Sequence, residues 1–253
     1  MEQPRNPSFP LTLAEARRAL ARMRAAPRAL ERPLLVLGGY LEPGLSKAFL
    51  KRRFHRLTGD DRIAGVTFMF CGTFDECRLK AIAVTDREFP GPDPLWTTEV
   101  DVVGVSMGGI VARYAALPPV DAGARRLRIA RLFTISSPHL GADRARLPAI
   151  NQLQLDMRAG SAFLCWLNRP ENAPAFPVFP YVRLGDRTVG AKNAAPVGMT
   201  AWWAPDVALQ PPHSSAVIDA RIIADIARRL RGEAPFATDP PAPLPAEPGR
   251  AKA

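Results

Sequence analysis

The segment VVGVSMGG at residues 102–109 determines how the rest of this sequence is interpreted. A run of apolar residues ends in a serine, and two glycines then open a second apolar stretch that is rich in alanine. A short apolar run is typical of a buried strand, and the alanine-rich stretch has the composition of a helix. The sequence therefore predicts a strand over 100–105, a sharp turn at Ser106 and a helix over 108–117.

Ser106 has one glycine two positions before it and another two positions after it, which is the pattern G-x-S-x-G. In a sharp strand-to-helix turn, side chains at those two positions would collide with the neighbouring strand and helix. Such a turn exposes the serine hydroxyl at the carboxyl edge of the sheet. A phosphate-binding turn is the alternative, but the sequence lacks the lysine of a P-loop and the G-x-G-x-x-G pattern of a dinucleotide fold. We therefore predict that Ser106 is a nucleophile.

A serine hydroxyl needs a base to take its proton, and histidine is suited to this near neutral pH. In domains with this kind of turn the chain order is serine, then an acid, then histidine. His55 and His139 lie too early in the chain to follow an acid on a late strand. Elimination among the three histidines leaves His213, in the loop segment QPPHSS, as the predicted base.

The third member of such a site is an acid that orients the imidazole and stabilises its protonated form. Asp186 directly follows the apolar run at 178–184, so we expect it at the carboxyl edge of the sheet. Asp143, which lies after the predicted strand 129–135, and Asp206, which is close to the histidine in sequence, are the alternatives. We favour Asp186.

Two backbone N–H groups should point to where negative charge develops during attack on a carbonyl group. Met107 follows the nucleophile immediately and is predicted to supply one of them. The turn after the first predicted strand has the sequence GGY at residues 38–40. We expect the second donor to be the N–H of Tyr40, with Gly39 lining the substrate pocket beside it.

Strands and helices are predicted to alternate along most of the chain. The predicted strands cover 34–37, 63–70, 100–105, 129–135 and 178–184, and the predicted helices cover 12–30, 46–57, 73–89, 108–117, 147–167 and 214–230. Alternation of this kind predicts a parallel sheet that is covered by helices on both faces. The expected fold class is a three-layer α/β domain.

The sequence divides into three parts. Residues 1–32 are predicted to form a basic helix packed on or leading into the domain, 33–231 the domain itself, and 232–253 a Pro/Ala-rich flexible tail. Thr12 and Glu15 have the spacing of a capping box at the start of the first helix. Its arginines suit either a helix packed on the domain with the charges in water, or contact with an anionic membrane surface.

Composition excludes several classes of protein. The 34 basic and 24 acidic residues give a formal charge of +10, but no nucleic-acid-binding motif is present, so no nucleic-acid partner is expected. The apolar runs are shorter than the roughly 20 residues of a membrane-spanning helix, and the N-terminus lacks the apolar core of a secretory signal, which predicts a cytoplasmic location. Cys71, Cys77 and Cys165 have neither disulfide nor zinc-site spacing.

The motifs taken together resemble the bacterial lipase/esterase branch of the α/β-hydrolase superfamily. The segments that carry the resemblance lie within residues 33–231 and read LLVLGGYLEPG, VDVVGVSMGGIVARYAAL, LFTISSPHLGA, DMRAGSAFLCWLN, RLGDRTV and PPHSSAVID. The resemblance implies an α/β-hydrolase fold and a triad of Ser106, Asp186 and His213. It also implies that His139 lies near the active site without being the base, and that residues 141–176 are where a cap or lid would lie.

The resemblance further implies hydrolysis of a small-molecule or lipid ester without a metal or cofactor. Acyl transfer or amide hydrolysis by the same triad, and a non-catalytic binding protein, are the alternatives. Phe163, Leu164 and Trp202 are candidates to line the pocket, although their spacing equally suits the core. Many relatives have His-Gly before the first oxyanion donor and a histidine before the nucleophile, where this chain has Gly38-Gly39 and Val105.

Overall fold

The apolar runs of the sequence form a single parallel sheet of six strands within the residues that the structure describes. The structure is a computed structural model, and it describes residues 4–119, 123–146, 149 and 151–245. The strands, in sheet order β2-β1-β3-β4-β5-β6, pair in parallel throughout. Their bounds are β1 Leu34–Leu37, β2 Ile63–Val66, β3 Val100–Val105, β4 Ile129–Ile135, β5 Val178–Arg183 and β6 Trp202–Ala204.

Eight helices accompany these strands in the described part of the chain. They are α1 Leu13–Ala25, α2 Leu45–Thr58, α3 Phe74–Glu88, α4 Met107–Ala116, α5 Gln152–Asp156, α6 Ala162–Leu167, α7 Pro212–Ala216 and α8 Ala220–Leu230. Because all neighbouring strands are parallel, the carboxyl ends of all six strands lie at the same edge of the sheet.

The helices form a layer on each face of the sheet, because successive strand side chains point to opposite faces. In β1, Leu34 and Val36 pack with α1, α2 and α8. Leu35 and Leu37 pack on the other side with α3, α4, α5 and α6. The predicted three-layer α/β architecture is therefore confirmed.

The N-terminal helix α1 is part of one of these layers. Thr12 accepts a hydrogen bond from the Glu15 backbone, and the Glu15 carboxylate accepts one from the Thr12 backbone, so the predicted capping box is confirmed. The buried side chains of the helix lie in the same apolar cluster as those of α8. The arginines of α1 lie on its exposed side.

Two predicted helices are interrupted. The predicted helix 214–230 is instead α7 followed by α8, because the Asp219 carboxylate accepts a hydrogen bond from the Arg221 N–H and begins a new helix there. The predicted helix 147–167 contains the two short helices α5 and α6, and residues 147, 148 and 150 lie outside the described residues. The strand β6 was not predicted, since it is only three residues long.

The segment predicted as a flexible tail is held to the domain over its first part. Asp225, on α8, accepts hydrogen bonds from the N–H groups of Phe236 and Ala237 at 2.6 and 2.8 Å. The indole N–H of Trp202 donates to the Thr238 carbonyl at 3.1 Å. Residues 232–245 are thus bonded to the domain through their backbone, and 246–253 lie outside the described residues.

None of the helices in the described part of the chain combines the length and the apolar character that a membrane crossing requires.

Candidate active site

The predicted turn between β3 and α4 is present, and its backbone is strained at the serine. Ser106 has φ 50° and ψ −122°, a conformation that residues other than glycine rarely adopt. Its N–H is held by a hydrogen bond of 2.9 Å to the carbonyl of Ile135, at the end of β4. Strain of this kind is retained where the surrounding structure fixes it, and it is frequent at functional sites.

The glycines around Ser106 are required by close packing, as the sequence predicts. A Cβ on Gly104 would lie 2.6 Å from the Gly109 nitrogen. A Cβ on Gly108 would lie 2.5 Å from the carbonyl oxygen of Leu37 and 2.8 Å from that of Gly38. The helix α4 can therefore begin directly against the end of β1 only with glycine at position 108.

The structure brings two of the predicted site residues into contact. The Nδ1 atom of His213, on α7, lies 2.9 Å from Asp186 Oδ2, which follows β5. The other carboxylate oxygen of Asp186 accepts hydrogen bonds from the N–H groups of Thr188 and Val189 at 3.0 and 3.1 Å. The Asp186 side chain is fully buried, whereas His213 is one-quarter exposed.

The environment of Asp186 keeps its carboxylate ionised. Burial by itself would raise the pKa of this carboxyl group, but the hydrogen bond and charge of His213, with the Val189 N–H, hold the pKa below its usual value. An ionised carboxylate can only accept, so Nδ1 of His213 must carry the proton in this contact. The opposite ring nitrogen, Nε2, takes no part in this contact.

Neither of the two alternative acids bonds His213 in the described structure. Asp206 accepts a hydrogen bond from the Gly185 N–H at 3.1 Å, and so supports the turn that carries Asp186. Asp143 contacts the side-chain amide of Asn193 at 3.4 Å. His55, the exposed histidine of α2, contacts Asp61. The geometry therefore selects Asp186 as the partner of His213.

No hydrogen bond joins Ser106 and His213 in the described structure. Ser106 Oγ forms none with any residue that the structure describes. In unliganded enzymes such contacts are often long and tighten when the substrate binds. Ser106, Asp186 and His213 follow β3, β5 and β6 respectively, and parallel strands place all three at one edge of the sheet.

The two predicted oxyanion donors flank the serine. Within the described residues, neither the Tyr40 N–H nor the Met107 N–H donates a hydrogen bond. The Gly38 N–H is already used, since it donates to the Val66 carbonyl at 2.9 Å. A Cβ on Gly39 would lie 3.4 Å from the Ser106 Cβ, so the turn after β1 lies directly beside the serine. The Tyr40 hydroxyl donates to Asn151 at 2.9 Å.

His139 does not line a pocket, contrary to its inclusion among the pocket candidates. It is fully buried, with Nδ1 3.3 Å from Arg113 Nη1 and Nε2 3.3 Å from Thr134 Oγ1. Burial and the charge of Arg113 hold the pKa of His139 well below its usual value, so the ring is neutral. Arg113 also donates to Asn168, whose amide donates to the His139 carbonyl, which makes this a packing network.

Trp202 and Leu164 are core residues, and Phe163 is partly buried against the core. Trp202 is 3% exposed and stacks on Tyr181 in the layer of α1 and α8. Phe163 stacks on Phe74 of α3 with ring centroids 4.2 Å apart, and Leu164 is 2% exposed in the same cluster. The predicted lid segment 141–176 therefore places its two helices against the α3–α4 layer. Its part in a lid stays a prediction.

Sequence reasoning missed the residues that support the acid and border the base. A cleft of about 610 Å³ lies beside His213, lined by Arg187 and Thr188 after β5 and by Pro211 and Pro212 before the histidine. The Thr188 N–H contact to Asp186 is the hydrogen bond that a turn aspartate makes two residues on, so the segment GDRT carries a signal for it. Among the described residues, no three His, Cys, Asp or Glu side chains converge as metal ligands.

No protein-family model matches the chain, and no curated protein matches it. Among solved structures it is similar to a lipase from Bacillus licheniformis in its mature form, with 16% identity and a TM-score of 0.57 over 81% of this chain and 94% of that one. It is also similar to a metagenomic carboxyl esterase, with 14% identity and a TM-score of 0.52 over 81% of this chain and 77% of that one. The chain therefore has an α/β-hydrolase fold.

Proposed function

We propose that the protein is a serine hydrolase that cleaves carboxylic esters through Ser106, His213 and Asp186. The observation that carries the proposal is the contact of 2.9 Å between His213 and the buried Asp186, at the sheet edge where the strained turn presents Ser106. An ionised acid, a base oriented by it and a partly exposed serine are the parts that acyl transfer requires. The likeness in fold to a lipase and an esterase agrees with this chemistry.

In the first half of the reaction, Ser106 Oγ attacks the ester carbonyl carbon while His213 Nε2 takes the hydroxyl proton. The carbonyl oxygen becomes negative and is stabilised by the N–H groups of Met107 and Tyr40. The bond from carbon to the alcohol oxygen then breaks, and His213 returns its proton to that oxygen. The alcohol leaves, and the acyl group remains on Ser106.

In the second half, His213 takes a proton from water, and the water oxygen attacks the acyl carbon. The bond to Ser106 Oγ breaks, the serine recovers its proton from His213, and the carboxylic acid leaves. Asp186 stays ionised throughout and stabilises the imidazolium that forms twice in each cycle. Every proton and electron pair in this cycle is accounted for by these three side chains, the ester and water.

The proposal is tested with p-nitrophenyl esters of graded acyl length, comparing wild type with Ser106→Ala and Asp186→Asn. We expect Asp186→Asn to lower kcat on the order of 10⁴-fold, because the histidine tautomer is no longer fixed. Ser106→Ala should lower kcat on the order of 10⁶-fold and leave only the residual catalysis of binding and the oxyanion donors. Added primary alcohols and p-nitroanilides distinguish acyl transfer and amide hydrolysis by the same triad. Equal turnover by wild type and Ser106→Ala would contradict the proposal and favour a binding protein.

For the physical source of the substrate we propose an anionic lipid surface. The helices α1 and α2 lie side by side in one layer and together carry nine basic side chains and one acidic one, Glu15. Burial, and next the charges of Arg24 and Arg56, lower the pKa of Arg53 on this face. On the exposed side of α2 the apolar Leu45 and Phe49 precede Arg52 and Arg56 at helical spacing. Such a face suits contact with anionic lipids.

A further inference from the structure

The side chain of Arg183 connects the segment that carries the acid with the segment that carries the base. Arg183 is the last residue of β5, three positions before Asp186, and is 1% exposed. A fully buried guanidinium group is costly unless its N–H groups are paired with acceptors. The acceptors of Arg183 all belong to the segment 210–219, which contains His213.

The contacts of Arg183 lie on both sides of the histidine. Nη2 donates to the side-chain oxygen of Gln210 at 3.2 Å, three residues before His213. Nη1 donates to Ser215 Oγ, two residues after it. Nε donates to Asp219 Oδ2 at 2.9 Å, where α8 begins. One rigid planar group therefore fixes the entry, the body and the exit of α7.

Besides these contacts, the segment is held by Ala216 and Val217, which pack in the apolar cluster of α1 and α8. The helix α7 has only five residues, and its N-terminal residue has no side-chain cap. A helix of this length is not stable by itself. His213 reaches Asp186 from this short helix, so the position of its ring depends on how firmly α7 is held.

Arg221 provides a natural comparison. Its guanidinium group is also buried, pairs with the same Asp219 at 2.7 Å, and donates to the Pro205 carbonyl at 2.7 Å. It does not, however, donate to Gln210 or Ser215 in the described structure. The two arginines thus share an ion-pair partner, but only Arg183 donates hydrogen bonds to side chains on both sides of the histidine.

We propose that Arg183 is a positioning residue for the base, acting through Gln210 and Ser215 to hold His213 at the distance and angle at which it bonds Asp186 and reaches Ser106. This inference rests on the proposed function for its kinetic consequence, and on geometry alone for its structural one. A displacement of about 1 Å at a catalytic group can lower a rate 10²-fold without changing substrate affinity. Loss of Arg183 should therefore act on kcat.

The test compares Arg183→Met with the matched control Arg221→Met, each at equal concentration of folded protein. We expect kcat for p-nitrophenyl esters to fall about 10²-fold in Arg183→Met with KM nearly unchanged, and to stay within about threefold of wild type in Arg221→Met. Gln210→Met removes one of the contacts from an exposed side chain, so it should fold normally and lower kcat severalfold. Wild-type kcat in both Arg183→Met and Gln210→Met would overturn the inference.

A second readout does not depend on turnover. The chain has three histidines, so protein labelled with ¹⁵N-histidine gives few ring signals, and His213→Ala assigns the one of interest. We expect the signal of the Nδ1–H bonded to Asp186 to be sharp in wild type and Arg221→Met, and broadened or lost in Arg183→Met. An unchanged signal in Arg183→Met would overturn the inference even if the protein hydrolyses esters. Absence of ester hydrolysis in wild type, with the signal lost only in Arg183→Met, would overturn the proposed function and leave the positioning role standing.

Discussion

The backbone at Ser106 adopts a conformation that serine rarely takes, and its neighbours explain why it persists. The turn is compressed between the end of β1 and the start of α4, and a Cβ on Gly108 would lie 2.5 Å from the Leu37 carbonyl oxygen. The sequence pattern G-x-S-x-G predicts this turn because the constraint is local and steric. The serine hydroxyl is presented at the sheet edge as a consequence.

Gly108→Ala tests this steric explanation. The added methyl group must displace either α4 or the backbone of β1, which we expect to cost about 1–3 kcal/mol in the free energy of unfolding. Because Ser106 is two residues away, activity should also fall in the protein that remains folded. Chemical denaturation measures the loss of stability, and kcat of the folded protein measures the loss of activity. Gly72→Ala is the control for removing a glycine, since a Cβ there comes no closer than 3.8 Å to any neighbour, the Glu76 carboxylate. Unaltered stability and activity in Gly108→Ala would contradict the explanation.

Chain order was sufficient to predict that His213 and Asp186 meet, but not the surroundings of the pocket. His213 and Asp186 follow from the positions of late strands, which are visible in the sequence. The burial of His139 and Trp202 depends on which side of the sheet each residue faces and on what packs there. Those contacts join residues that are far apart in the chain, so local patterns in the sequence do not predict them.

At the scale of elements, the long apolar runs predicted strands and helices well, and the short or interrupted ones were missed. The strand β6 has three residues and can be recognised only by its pairing with β5. The break between α7 and α8 falls at Asp219, whose carboxylate begins α8 and pairs with Arg183 and Arg221. The sequence pattern alone predicts one continuous helix across this position, because the serine, valine and isoleucine residues before it are all compatible with a helix.

Asp219 should make stability depend on acidity. Burial would raise the pKa of this carboxyl group, but Arg221 and then Arg183 outweigh that effect and lower the pKa. A lowered pKa in the folded state means that the stabilisation is complete above the unfolded value of about 4 and is lost as the pH falls through the folded value. Asp219→Asn removes this contribution. We expect it to be about 3–5 kcal/mol less stable at pH 7, with a shallower decline below pH 4.

Urea denaturation at several pH values measures the free energy of unfolding at pH 7 and its decline below pH 4. Asp61→Asn, which changes an aspartate with a side chain that is 94% exposed, is the matched control and should follow wild type. Parallel curves for wild type and Asp219→Asn below pH 4 would show that Asp219 does not account for the acid sensitivity.

At the scale of the whole molecule, the charge is unevenly placed. The chain carries a formal +10, and α1 and α2 supply nine of its basic residues in one layer. Neither the sequence composition nor the prediction of each helix separately indicated that the two would combine into one face. Their contact arises from the sheet order, because α2 follows the inner strand β1 and α1 packs beside it.

We expect this face to bind anionic vesicles. Vesicles of phosphatidylcholine with phosphatidylserine should sediment the protein, pure phosphatidylcholine vesicles should sediment less of it, and added salt should release it. The double variant Arg52→Glu/Arg56→Glu should lose this binding. Arg87→Glu/Arg169→Glu makes the same change in net charge on the opposite layer and should retain it. Equal loss in both double variants would show that only net charge matters.

Activation of Ser106 by His213 and Asp186 can be measured by intact-mass spectrometry after treatment with a fluorophosphonate. Attack by Ser106 Oγ forms a bond to phosphorus, fluoride leaves, and His213 takes the serine proton. We expect one adduct per chain in wild type, none in Ser106→Ala and a strongly slowed reaction in His213→Ala. Wild type without an adduct, in the presence and absence of anionic vesicles, or an adduct that persists in Ser106→Ala, would contradict this activation.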